Sequence, residues 1–239
     1  METTEKYLVC IGGGEIKDKT TLKIDEYVVG LAKKRAGAKR PRALFIGTAS
    51  HDFMPYFNSF RKTYTGVLDV KVDCLLTVYT TYGADKMKEK FDLCDVIYVG
   101  GGDTVFMLEK WRESGVIDLI KDAYERGVII AGLSAGAICW FEDMYTDSIK
   151  TEVTGEYCFF KGLGLIKSAC SPHYDERRED LKEALTESKI PSCYAIDGNA
   201  ALVFVNGEPI GSVSSGGKAY ILRNNAGVIE EYEIQSITE

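Results

Sequence analysis

The feature that most constrains this chain is a recurring pair. A short apolar run ends at glycine or a small polar residue, and a stretch with apolar residues at helical spacing follows. Lys6–Ile11 ends in Gly12-Gly13-Gly14, and Leu22, Tyr27, Val28, Leu31 and Ala32 then fall on a helical period within Thr21–Ala36. Ala43–Ile46, Val70–Cys74, Val96–Val99 and Val128–Ala131 repeat the strand pattern, with helical segments at Lys86–Phe91, Val105–Ser114 and Ile117–Arg126. These short, largely apolar runs are candidates for strands of a buried sheet. Alternating with helices, they form βαβ units and a mostly parallel, doubly wound α/β sheet. Loops at the carboxyl ends of such strands carry the function.

The texture changes after about Thr151. Ile166–Ala169 and Tyr194–Ile196 read as strands around a charged helix, Asp175–Ser188. From Ala201 onward, alternating segments are punctuated by N-G-E-P, S-S-G-G and N-N-A-G, which predicts antiparallel hairpins. No repeat, linker or low-complexity run interrupts the 239 residues, so one domain spanning 1–239 is expected.

Charge and cysteine usage narrow the function classes. A net charge of −7 argues against a chain-wide nucleic-acid surface or an anionic-membrane partner. The six Lys/Arg between Lys33 and Arg42 read as the C-terminal end of a helix, where cations complement the dipole. The longest apolar stretch, Val128–Phe141, is fourteen residues, and a membrane span needs about twenty. Seven scattered cysteines without a C-x-x-C pair read as reduced, mostly buried thiols. The acidic start M-E-T-T-E-K shows no signal peptide, and a cytoplasmic protein is expected. No His/Cys cluster has zinc spacing, so neither metal nor cofactor is expected. Monomer and homodimer both stay open.

Gly132-Leu133-Ser134-Ala135-Gly136 matches G-x-S-x-G between the strand V-I-I-A and the run A-I-C-W-F, which reads as a helix. A strand-to-helix turn this sharp projects the Ser134 hydroxyl beyond the sheet edge, with the next amide facing any oxyanion. A plain tight turn of small residues is the alternative. A serine nucleophile needs a base, and the chain has two histidines. Both His51 and His173 follow strands; His173 is favoured because Pro172 restricts the backbone beside it. The orienting acid is open among Asp143, Asp147, Asp175 and Asp197. Gly100-Gly101-Gly102-Asp103-Thr104 follows another strand. Its bare amides suit an oxyanion hole or a phosphate cradle, and Asp103 or Thr104 suits a helix cap. No phosphate-binding fingerprint is complete.

Four ordered motifs carry a resemblance: G-G-G-D-T-V-F-M-L at Gly100–Leu108, G-L-S-A-G-A at Gly132–Ala137, S-P-H at Ser171–His173 and I-D-G-N at Ile196–Asn199. Together they resemble the peptidase E / cyanophycinase family of serine peptidases, close to the aspartyl dipeptidases. The resemblance implies a three-layer sandwich, flavodoxin-like or class I glutamine amidotransferase-like. It also implies a serine-type dipeptidase acting on short peptides, with an N-terminal Asp among the substrates, or a cyanophycinase-like enzyme acting on β-aspartyl peptides. Carried over, Ser134 is the nucleophile, His173 the base and Asp197 the acid, where peptidase E has Glu. Asp147 is the alternative acid. Ala135 with Gly101 or Gly102 would donate to the oxyanion, and Arg178 would bind substrate, after a shorter loop than the aspartyl dipeptidases have. A non-catalytic amidotransferase-like binding module that keeps the elbow for shape is the competing class.

Overall fold

The computed structural model describes residues 4–148 and 157–237. The first half runs β1 (Tyr7–Ile11), α1 (Leu22–Ala36), β2 (Arg42–Ile46), α2 (Met54–Gly66), β3 (Lys71–Leu75), α3 (Ala84–Asp92) and β4 (Val96–Val99). There follow α4 (Thr104–Ser114), α5 (Val116–Glu125), β5 (Ile129–Leu133), α6 (Ala135–Ile138), β6 (Phe141–Thr146), β7 (Cys158–Lys161) and β8 (Ile166–Ser171). The chain closes with α7 (Tyr174–Glu187), β9 (Ser192–Ile196), β10 (Ala200–Val205), β11 (Glu208–Ser214), β12 (Ala219–Asn225) and β13 (Val228–Glu233).

The expected α/β architecture is present, built on two sheets where the strand pattern suggested one. The larger has the order β11-β10-β1-β5-β4-β2-β3, parallel from β1 to β3, with β10 antiparallel to both its neighbours. The smaller has the order β13-β12-β9-β8-β6-β7, with β6, β8 and β9 parallel. The C-terminal hairpins are therefore divided, one extending each sheet. Phe204 of β10 meets Phe141 of β6 edge-on at 5.7 Å and Tyr194 of β9 at 5.4 Å, which locks the two sheets together.

Side-chain alternation sorts the core into layers. Leu8 and Cys10 of β1 join the cluster that holds Trp111, Ile120, Trp140 and Phe141, whereas Val9 and Ile11 join Val28, Phe60 and Tyr64 of α1 and α2. Both faces of the parallel strands are thereby covered. Tyr174, Leu181 and Leu185 of α7 cover the outer face of the smaller sheet, against Ala169, Cys193 and Leu222. Asp103 caps α4 by accepting from the Phe106 N–H at 3.0 Å. Of the basic cluster, Lys33, Lys34 and Arg35 occupy the last turn of α1, whereas Lys39 and Arg40 lie beyond its end and Arg42 opens β2.

The helical run expected after Ser134 stops at Ile138. The carbonyls of Cys139 and Trp140 accept from the Leu163 N–H (2.8 Å) and the Leu165 N–H (2.7 Å), and the chain enters β6 at once. Burial of Trp140 and Phe141 between the layers outweighs local helix preference there. Beneath α1, buried Asp25 accepts from Thr21 Oγ1 at 2.8 Å and from the Tyr64 hydroxyl at 2.9 Å.

Candidate active site

Both sheets deliver their carboxyl ends to one place, and β1 is the joint. The Ile11 carbonyl accepts from the Ser134 N–H at 2.8 Å, and the next carbonyl, Gly12, accepts from the His173 N–H at 3.0 Å. Two consecutive peptide groups of one central strand thus fix the backbone of a residue from each sheet.

Ser134 sits at φ 53° and ψ −110°, a strained conformation for a side-chain-bearing residue, costing of order 1–3 kcal/mol. The turn is tight enough to demand its glycines. A Cβ on Gly132 would lie 2.0 Å from the Gly136 carbonyl oxygen, and one on Gly136 would lie 2.3 Å from the Val99 oxygen. His173, at the N-terminus of α7 with φ 49°, places Nε2 3.0 Å from Ser134 Oγ. That is hydrogen-bonding distance between the hydroxyl and the imidazole. Burial, then the Arg177 cation, pushes the His173 pKa below its ordinary 6.5, so the ring is neutral and able to accept a proton at pH 7.

The carboxylates are arranged less simply. Asp197, at the end of β9, accepts from the Lys218 N–H at 3.2 Å through Oδ2. Its Oδ1 lies 3.8 Å from Arg178 Nη2 and is buried without a hydrogen bond. Burial raises its pKa. Among the described residues no hydrogen bond joins Asp197 to His173. Glu176 Oε1 stands 3.8 Å from His173 Nδ1, a neighbour the sequence reading passed over although it lies three residues along the same helix. Asp175 accepts from the Gly198 N–H at 2.8 Å and ties α7 to the Asp197 turn. Asp147 is exposed, and its charge is the smallest of the influences on His173.

Arg178 is not where a substrate-binding arginine was expected. Its guanidinium stacks 4.2 Å from the Tyr174 ring and 4.8 Å from the Tyr220 ring and pairs with Glu231, away from the cleft. Helix α7 begins directly after His173, and Arg178 lies past the kink at Arg177, against the smaller sheet. Arg177 instead is buried, 6% exposed. Its Nε and Nη1 have no hydrogen-bond partner among the described residues, and its guanidinium lies over Tyr157 at 4.3 Å. Its own backbone leaves the helical conformation (φ −133°, ψ 24°), so α7 is kinked there. His51 is exposed and stacks on Phe106 at 4.0 Å, outside the cleft.

A cleft of about 550 Å³ opens in front of Ser134 and His173. Gly14, Glu15, Ile16 and Lys17 form one wall and Phe53, Pro55, Tyr56 and Ser59 another, with Gly101, Gly102 and Leu133 at the base. Glu15, Lys17 and Tyr56 were missed from the sequence, although they follow β1 and β2 at the edge where function gathers. The Gly102 and Ala135 N–H groups donate to nothing among the described residues. No group of three or more metal-binding side chains occurs among the described residues, and no helix there is long and apolar enough to cross a membrane.

A strained serine elbow on a doubly wound α/β frame, with a histidine at hydrogen-bonding distance, defines a serine-hydrolase class of site. The chain belongs to peptidase family S51, whose family model matches residues 8–210, and it is a serine-type peptidase. It is 34% identical over 241 residues to "Uncharacterized peptidase YgaJ" of Bacillus subtilis, covering 97% of this chain and 96% of that one. It is 26% identical to "Peptidase E" of Haemophilus influenzae, over 65% of this chain and 76% of the other. A putative peptidase E structure from Listeria monocytogenes superposes with a TM-score of 0.63 at 22% identity, covering 88% and 98%. A peptidase structure from an acI-B1 actinobacterium gives 0.73 at 17% identity, covering 98% and 96%.

Proposed function

We propose that the protein hydrolyses short peptides, dipeptides among them, through an acyl-enzyme on Ser134. The observation that carries this reading is the 3.0 Å contact between His173 Nε2 and Ser134 Oγ on a strained elbow. In the proposed reaction Ser134 Oγ attacks the scissile carbonyl while neutral His173 takes its proton at Nε2. The Ala135 and Gly102 N–H groups donate to the developing oxyanion. His173 then gives that proton to the leaving amine. Water next attacks the acyl carbonyl while His173 takes its proton. His173 returns that proton to Ser134 Oγ as the acyl–oxygen bond breaks and the carboxylic acid leaves.

Asp197 is the proposed acid. Its buried Oδ1 has no donor among the described residues, and an unsatisfied buried acceptor is costly. The His173 Nδ1–H would satisfy it once substrate tightens the site, as catalytic hydrogen bonds often do. Glu176 is the rival, nearer to Nδ1 but exposed. A preference for an acidic substrate residue would rest on Arg177 in place of Arg178, because Arg177 Nε and Nη1 have no hydrogen-bond partner among the described residues and its charge acts on His173. The seven free thiols accord with a cytoplasmic location.

Two measurements test the reading. A fluorophosphonate probe should label Ser134, and the absence of labelling on folded protein would favour a binding module. A panel of Asp-Xaa, Glu-Xaa and neutral dipeptides should show turnover, with the acidic peptides losing most in Arg177→Gln.

A further inference from the structure

Each glycine of Gly100-Gly101-Gly102 makes room for a different neighbour. A Cβ on Gly102 would lie 2.2 Å from the Ala49 carbonyl oxygen, and one on Gly101 would lie 3.3 Å from Ser134 Cβ. At Gly100 the obstacle is not backbone. A Cβ there would sit 2.9 Å from Cε1 of the Tyr56 ring. The first glycine thus makes room for the Tyr56 ring at the end of β4.

Tyr56 is held from three sides. Phe45 packs edge-on against its ring at 5.2 Å, Pro55 fixes the first turn of α2, and the Gly101 N–H donates to its hydroxyl oxygen at 3.3 Å. Because that oxygen already accepts from Gly101, the phenolic hydrogen is directed elsewhere. Tyr56 lines the same cleft as Ser134, Gly102 and His173. Gly101 therefore carries the phenol on its nitrogen side and faces Ser134 on its α-carbon side.

Resting on the assignment of Ser134 as nucleophile, we infer that Tyr56 is a further catalytic residue, whose O–H donates a hydrogen bond to the oxygen of the tetrahedral intermediate beside the Gly102 and Ala135 amides. The Tyr56 proton stays on the phenol throughout, and only the hydrogen bond strengthens as negative charge develops. Burial and the charges of Glu15 and Asp25 push the Tyr56 pKa up to about 12, which keeps the donor protonated across the working range. A donor aimed at charge that exists only in the transition state changes turnover more than substrate affinity.

The test is Tyr56→Phe, which keeps the ring and its packing. The expected result is a fall in kcat on the order of 10²-fold with little change in KM. The affinity for a dipeptide aldehyde, which forms a hemiacetal oxyanion on the serine, should fall in parallel. A fall in kcat smaller than tenfold, or an unchanged aldehyde affinity, overturns the inference. Should Tyr56→Phe fail to fold, Gly100→Ala displaces the ring and must show the same loss. Ser134→Ala separates the two levels. If it is inactive while Tyr56→Phe is normal, only the role of Tyr56 fails; if it is active, the assignment of the nucleophile fails and takes Tyr56 with it.

Discussion

The imidazole of His173 lies directly on Gly13: a Cβ built there would come within 2.6 Å of both Cε1 and Nδ1 of the ring. The second residue of the turn after β1 is therefore a floor for the imidazole, and its lack of a side chain leaves room for Nε2 to approach Ser134 Oγ.

Gly13→Ala should push the ring off the serine while leaving both sheets intact. The expected outcome is a loss in kcat/KM of about a hundredfold or more, because a displacement near 1 Å already costs that much. The melting temperature should change little. Turnover within threefold of the parent would show that the ring has another productive position.

The pH profile should report the surroundings of His173. Its pKa lies below 6.5, so kcat/KM on a neutral dipeptide should rise with pH through an apparent pKa below that value and level off near neutrality. Arg177 lowers this pKa and Glu176 raises it. Arg177→Gln should move the acid limb to higher pH, and Glu176→Gln should move it to lower pH. Shifts in the same direction would contradict the electrostatic account.

The two candidate acids can be separated on one substrate. If Asp197 orients His173 during turnover, Asp197→Asn should cost on the order of 10³-fold or more in kcat by favouring the wrong tautomer. Glu176→Gln should then stay within about tenfold, because Glu176 acts across 3.8 Å through an exposed side chain. The reverse ranking would give the role to Glu176.

Asp25 makes a prediction about stability. Burial raises its pKa from 3.8 to about 6, although the Thr21 and Tyr64 hydroxyls favour its charged form. A raised folded-state pKa means that the native state binds the proton more tightly than the unfolded chain. The resulting stabilisation is full below about pH 4 and is lost as pH rises through 6. From the shift its size is about 3 kcal/mol. Asp25→Asn removes this titration, so the parent should lose stability relative to the variant between pH 4 and 7. Parallel denaturation midpoints across that range would contradict it.

What could be read from the chain, and what could not, divides along physical lines. The Val96–Val99 strand and the Ser134 elbow follow from local rules, and the elbow glycines stand where a neighbouring backbone leaves no room for a Cβ. Helix α2 drew no notice because Pro55 and scattered polar residues mask the spacing of Phe57, Phe60 and Tyr64. The second sheet was invisible for a different reason: which strand a buried segment pairs with depends on long-range partners such as Phe141 and Phe204. Arg177 and Arg178 part at a kink: Arg177 leaves the helical conformation (φ −133°, ψ 24°) and Arg178 lies against Tyr220, a break that no local pattern in the chain announces.

The most direct test of the account is the turnover of Ser134→Ala against the dipeptide that the parent cleaves best. Ala lacks the attacking oxygen but keeps the backbone and the Gly132–Gly136 turn, so the variant should fold with an unchanged melting temperature. Its kcat should fall by several orders of magnitude, on the scale seen when a serine nucleophile is removed. Residual turnover within tenfold of the parent would contradict the assignment of Ser134 as the nucleophile.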